Sequence, residues 1–263
     1  MKLGLSYNLF DGEELLEYSI KPIRNCVDYI SVVYQLISNH GNPCSENLEL
    51  MLHDLKNRGL IDEMVLFVPK IEDNENPEMA SINETEKRNI GLELSRINNC
   101  THHMTIDTDE FYTTKQFEYM KKIVEDGNYD SAVCNHCQYY KDSIYMLKNK
   151  EPEFVTTIQK INTNTKYVYK IDYFVGVDPT RKTNNLNCRI FSRNEVEMHH
   201  MSFVRKNIKT KLLNSSSRRH FTDEQINKID NHYRNWFYPM PGMWAGGNLV
   251  DVVEVPRLFE IYK

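Results

Sequence analysis

The sequence predicts an α/β domain, with a Rossmann-like N-terminal half and a mixed central sheet flanked by helices. Three observations carry that reading. β-Branched runs alternate with helix-period patterns as far as residue 112, which argues for parallel strands covered by helices. An apolar strand containing Met104 and Ile106 runs straight into two carboxylates, Asp107 and Asp109. Beyond residue 112 the pattern becomes β-rich, as in a mixed second half. With 263 residues and 40% apolar content, one domain is expected, about 1–112 forming one half and about 113–263 the other.

Residues 2–7 read as a buried first strand. Asp11 can cap a helix carrying Leu15, Leu16 and Ile20, which Pro22 disturbs. Residues 28–35 form a β-branched second strand. Ser45 is placed to cap a helix with Leu48, Met51, Leu52 and Leu55 at helical spacing, and Gly59 ends it. Residues 63–68 are a third strand, followed by a polar loop at 72–79. Arg88-Asn89-Ile90-Gly91 opens the next helical pattern, which feeds the strand into Asp107. A helix at about 114–125 precedes β-rich segments near 129–140, 153–160, 166–175 and 187–191. Thr222-Asp223-Glu224-Gln225 is a capping box opening a helix to about Trp236. The irregular stretch 237–247 suits a lid or acceptor loop, or a plain connection, and 249–255 reads as a last strand.

Ligands of parallel sheets bind outside the carboxyl ends of the strands. Here those ends carry Tyr7 and Asn8, Gln35, and Asp107 and Asp109. Carboxylates two residues apart near a strand end can point the same way, so both can face one hard divalent cation. The bland alternative is a solvated strand-to-helix turn. A second constellation lies at 198–221. It holds Arg205, Lys206, Lys209, Lys211, Arg218 and Arg219 with His199, His200 and His220, and contains no Asp or Glu. The whole chain is acidic, 37 acidic residues against 32 basic, so such an island needs an anionic partner.

The order of Arg88-Asn89, a strand and Asp107-Thr108-Asp109 resembles the nucleotide-sugar-dependent glycosyltransferases of the GT-A fold, family 2-like in type. His200-Met201-Ser202-Phe203, with Lys211 and His220 downstream, resembles the His-x-Ser segment of one N-acetylglucosaminyltransferase group. The resemblance implies a single GT-A-like catalytic domain. It would move a sugar from a nucleotide-diphosphate donor, UDP-linked by expectation, to a hydroxyl of a glycan or lipid-linked acceptor. It further implies that Asp109, Asp107 and His200 hold Mn²⁺ or Mg²⁺, with imidazole favouring Mn²⁺. Arg205 and Lys211 would then neutralise the diphosphate, with Arg88 assisting. Asp107 would also reach the ribose. Tyr7, Asn8 and Gln35 would line the nucleotide site, Gln35 standing where the family often has an acidic residue. Asp178, in the Gly176-Val177-Asp178-Pro179 turn, is a candidate base, and a turn-forming role competes with that. Asp109→Asn is expected to abolish metal-dependent nucleotide binding and leave the fold intact.

Other classes fit less well. A nucleotidyltransferase making the nucleotide sugar often carries a glycine-rich phosphate loop after its first strand, and only Gly12 follows here. A sugar- or nucleic-acid-binding module is the non-catalytic alternative, but a net charge of −5 with one localised basic patch argues against nucleic acid. No apolar run of membrane-spanning length and no signal-like start is found, so a cytoplasmic enzyme with reduced cysteines is expected. Cys134-Asn135-His136-Cys137 has no second pair at zinc spacing and reads as strand packing.

Overall fold

The computed structural model describes residues 1–73, 75–148 and 153–262. Its first half comprises β1 (Leu3–Leu9), α1 (Glu13–Ile20), β2 (Tyr29–Tyr34), α2 (Leu48–Asn57), β3 (Glu63–Leu66), α3 (Met79–Ile97) and β4 (His102–Asp107). Next come β5 (Glu110–Phe111), α4 (Thr114–Asp126), β6 (Ser131–Tyr140), β7 (Asp142–Leu147), β8 (Phe154–Lys160) and β9 (Cys188–Ile190). The chain continues with β10 (Glu197–Phe203), α5 (Ile208–Asn214), α6 (Asp223–Asn235), β11 (Gly242–Met243), β12 (Leu249–Val250) and β13 (Val252–Glu254).

The architecture is the expected α/β one. β1 lies between β2 and β4, parallel to both, and β3 continues the parallel set at the edge. All seven residues of β1 are buried, as a central strand covered on both faces requires. The remainder of the main sheet is mixed. β8 is antiparallel to both β4 and β6. The ten-residue β6 also pairs antiparallel with β7 and parallel with β9 and β10. Through β10 the sheet reaches β5, where His200 pairs with Glu110 and His199 with Phe111. That ladder brings the histidines to the Asp107–Glu110 turn across a long sequence separation.

Helix α3 packs directly on β1. A Cβ added at Gly91 would lie 2.1 Å from Ser6 Oγ and 2.4 Å from Ser6 Cβ, so this approach needs a glycine. Most of the apolar core lies around the parallel strands, with Leu3, Leu5, Ile30, Val32, Met104 and Ile106 inside it. A second cluster, including Tyr140, Phe203, Leu212, Tyr233 and Trp236, seats α5 and α6 on the sheet. Cys134 and Cys137 are an odd number of residues apart in β6 and join different clusters, and all six cysteines are free.

Several local expectations need correction. α3 begins at Met79, so Arg88 sits in mid-helix rather than at its start. Asp11 and Ser45 cap nothing: α1 starts after Gly12, whose φ is +90°, and α2 after Asn47, neither with a side-chain cap. No strand forms over 166–175, where Tyr167 makes only an isolated bridge to Thr183. β7 was not anticipated. The capping box at Thr222 is present, with Gln225 bonding reciprocally. Among the described residues no helix is long and apolar enough to cross a membrane.

Candidate active site

A cavity of about 140 Å³ opens beyond the carboxyl ends of β1, β2 and β4. Asn8, Gln35, Asp107, Asp109, Asp178, Arg205 and Lys211, all singled out from the sequence, line it together. Tyr7 does not join them. It is fully buried one residue earlier in β1, with its hydroxyl 2.9 Å from Ser19 Oγ, because alternation turns successive side chains to opposite faces. Arg88 is also buried and lies behind the wall. It donates from Nη1 to Thr105 Oγ1 at 3.0 Å and to Asp107 Oδ1 at 3.4 Å.

Asp109 is the most heavily held group. Its Oδ2 accepts from Arg205 Nη2 at 2.6 Å and Lys211 Nζ at 2.8 Å. Its Oδ1 faces His200 Nε2 at 3.5 Å. Burial pushes its carboxyl up, yet Lys211 and Arg205 outweigh that and hold it well below the carboxylate range. The residue is 2% exposed, so it is a buried ionic centre rather than a solvated turn, and the expectation that Asp109→Asn leaves the fold intact does not follow from its surroundings. The fold explains the burial. Met201 N donates to Asp109 O at 2.6 Å, fastening the turn to β10. The Tyr233 hydroxyl clamps the Arg205 backbone through both its N–H and its carbonyl. Gly12 is a glycine for the same centre: an added Cβ would fall 1.8 Å from Arg205 Nη1, and its φ is +90°.

Asp107 is paired separately. Its Oδ2 accepts from Arg181 Nη2 at 2.5 Å, and Arg181 also grips Glu110 Oε1 and Oε2 at 2.5 and 3.0 Å. Burial opposes ionisation of Asp107, but Arg181 and Arg88 prevail and lower its pKa. Glu110, 3% exposed, is pushed up by burial despite Arg181. Asp178 Oδ1 accepts from both the amide and the hydroxyl of Thr180 at 2.7 Å, so it caps the short turn carrying Arg181.

The two histidines part as an extended strand dictates. His200 faces Asp109, while His199 lies under the opposite face with Nδ1 bonded to the Tyr139 hydroxyl at 2.9 Å. The basic island divides as well. Arg205 and Lys211 enter the site, whereas Arg218 pairs with Asp223 and Lys206 sits over the Tyr262 ring.

Sequence reasoning missed Glu110, Arg181 and Lys87. Glu110 directly follows the paired aspartates and Lys87 directly precedes Arg88, so adjacency was the available signal. Arg181 had none, because it reaches Glu110 over 71 positions. Several polar atoms around the cavity are buried without hydrogen-bond partners: both amide atoms of Asn8, Gln35 Oε1, Asp11 Oδ2, and Nε and Nη1 of Arg205, the last 3.6 Å from Asp11 Oδ1. Buried polar groups are normally satisfied, so this set is what a polar ligand would complete.

No family model matches the sequence, and neither does any curated protein. Among solved structures, S. aureus TarS residues 1–349 align over 89% of this chain and 71% of that one, at 13% identity and a TM-score of 0.43. A longer S. aureus TarS structure aligns over 90% of this chain and 44% of that one, at 11% identity and the same score of 0.43. The 1–349 form in complex with UDP-GlcNAc aligns over 89% of this chain and 72% of that one, at 12% identity and 0.43. At that identity and score the likeness assigns no function.

Proposed function

We propose that the protein is a metal-dependent glycosyltransferase using a nucleotide-diphosphate sugar, UDP-linked in our reading, and a hydroxyl acceptor. The observation that carries this is the meeting of Asp107, Asp109, Arg205 and Lys211 in one cavity, with His200 against Asp109, beside the unsatisfied Asn8 amide and Gln35 Oε1 at the carboxyl ends of parallel strands. The cavity wall holds five carboxylates, Asp11, Glu84, Asp107, Asp109 and Asp178, against three cations, Lys87, Arg205 and Lys211. A diphosphate entering such a wall is repelled unless a cation accompanies it.

Two of the three expected donors suit a divalent ion, and Asp107 does not join them: it is held by Arg181 and Arg88, and among the described residues the cluster of three donors close enough to share an ion is Asp11, Glu13 and Glu14. Asp109 Oδ1 and His200 Nε2 stand 3.5 Å apart, close to the roughly 3.0–3.4 Å between neighbouring ligands whose bonds to one ion are about 2.1 Å. His200 Nδ1 is buried and has no hydrogen-bond partner, so no described neighbour fixes the tautomer that would present Nε2 to an ion. Asp109 and His200 would hold Mn²⁺ or Mg²⁺, with Asp107 nearby for the ribose or a metal-bound water. The ion would offset the charge that grows on the departing diphosphate. Lys211, with one N–H committed to Asp109, has further donors for phosphate oxygens. Asn8 and Gln35 would meet the nucleoside. In the transfer, the acceptor oxygen bonds to the anomeric carbon as the bond to the diphosphate breaks. If the reaction inverts that carbon, a base must take the acceptor proton. Asp178 is the candidate, since among the described residues it is the one carboxylate of the wall without an ion pair.

Nucleotide release from a panel of nucleotide sugars, with Mn²⁺ and then with EDTA, tests the reading. Release with one donor, lost in EDTA and in His200→Ala, supports it. Release unaffected by EDTA removes the metal, and a protein that turns over no donor and binds no nucleoside diphosphate removes the transferase. Asp109→Asn is the weaker probe, because Arg205 and Lys211 both depend on that carboxylate.

A further inference from the structure

The cations around the cavity are not equivalent. Arg88 and Arg181 are bonded to Asp107, and Arg205 and Lys211 to Asp109. Lys87 remains. It lines the cavity from α3 and is only 5% exposed. Among the described residues its side chain makes no hydrogen bond and no ion pair within 4.0 Å. Its negative neighbours are Glu84, one turn earlier on the same helix, and Asp107; burial pushes the Glu84 carboxyl up, which weakens it as a counter-charge, and Asp107 is already bonded to Arg88 and Arg181. Burial likewise lowers the Lys87 pKa. An ammonium in this position needs both hydrogen-bond acceptors for its three N–H groups and a negative charge. A neutral base carbonyl supplies only the first. A phosphate oxygen supplies both.

Resting on the transferase reading above, we propose that Lys87 binds a phosphate oxygen of the donor, being the cation of the cavity lining that, among the described residues, has no hydrogen bond or ion pair of its own. Arg205 and Lys211 build the carboxylate centre, Lys211 with donors to spare, and Lys87 adds an ammonium that meets the incoming anion. Arg88, next to it in sequence, is excluded from this role by its burial and its bonds to Thr105 and Asp107.

Calorimetry of the full chain with inorganic pyrophosphate, UDP and uridine, in Mn²⁺, tests the assignment in the wild type, Lys87→Met and Lys87→Arg. Lys87→Met should weaken pyrophosphate and UDP by roughly 10- to 100-fold, the range for losing a charge-assisted hydrogen bond, and uridine by less than about twofold. Lys87→Arg should recover most of the loss. Circular dichroism melts of the variants report any folding defect, and Met is expected to melt no lower than Lys because it removes an uncompensated buried charge. UDP affinity that is unchanged in Lys87→Met overturns the Lys87 assignment and leaves the transferase standing. Equal weakening of uridine and UDP also overturns it, placing Lys87 against the base. A wild type that binds neither pyrophosphate nor UDP overturns both readings.

Discussion

Replacing Arg181 by Met should destabilise the fold by about 3–5 kcal/mol, the range for removing one partner of a buried ion pair. The side chains of Arg181 and Glu110 are each 4% exposed, and three bonds join Arg181 to Glu110 and Asp107. Without the guanidinium, Glu110 keeps one donor, the Asp107 amide at 3.2 Å, and Asp107 keeps Arg88 at 3.4 Å. The stranded Glu110 carboxyl can relieve the penalty by taking up a proton. Its folded pKa is then raised further above the unfolded value, so the deficit is largest at pH 8 and shrinks as pH falls. Adding Glu110→Gln removes the stranded charge and should recover at least half of the loss. Urea unfolding followed by far-UV circular dichroism, at pH 8 and pH 5.5, measures both effects. A loss below about 1 kcal/mol at pH 8, or no recovery in the double variant, would refute the view that this pair carries the site's architecture.

Two further outcomes are expected. Gly91→Ala should cost about 1–3 kcal/mol by overpacking α3 against β1, and adding Ser6→Gly, which removes both clashing atoms, should return most of it in the same unfolding assay. Acidification should destabilise the protein already between pH 7 and 5, because burial depresses the pKa of His103 to about 3 and that of His199 to about 4. Both folded values lie below the unfolded value, so their contribution is intact above pH 6.5 and is lost as pH falls toward the folded pKa. At pH 5 each costs about 2 kcal/mol relative to pH 7, and His103→Gln should flatten the stability profile between pH 7 and 5 by about that amount. An unchanged slope in that variant would show that His103 is not the titrating group.

The sequence by itself determined the alternation of strands and helices as far as Asp107, the capped helix after Thr222, and the side chains at the strand ends. These are local matters: hydrophobic period, turn chemistry, and the rule that adjacent strand residues face opposite ways. The same rule lets only one of His199 and His200 face the acidic turn; the His-x-Ser resemblance named His200, and pairing of β10 with β5 sets that side chain against Asp109. Tyr7 shows its limit. Standing at a strand end did not say which face its ring would take. Only the tertiary structure decided the electrostatics. Asp109 lay in an isolated acidic triplet on paper, and β10, α5 and α6 bury it against Arg205 and Lys211. Arg181 and Glu110 find each other over 71 positions of chain. Lys87, one of many charges in the sequence, becomes distinctive because, among the described residues, folding bonds Arg88, Arg181, Arg205 and Lys211 to the site's carboxylates and leaves this side chain without a hydrogen bond or ion pair. Charge is a property of the residue, but whether it is satisfied depends on neighbours that long-range packing brings to it.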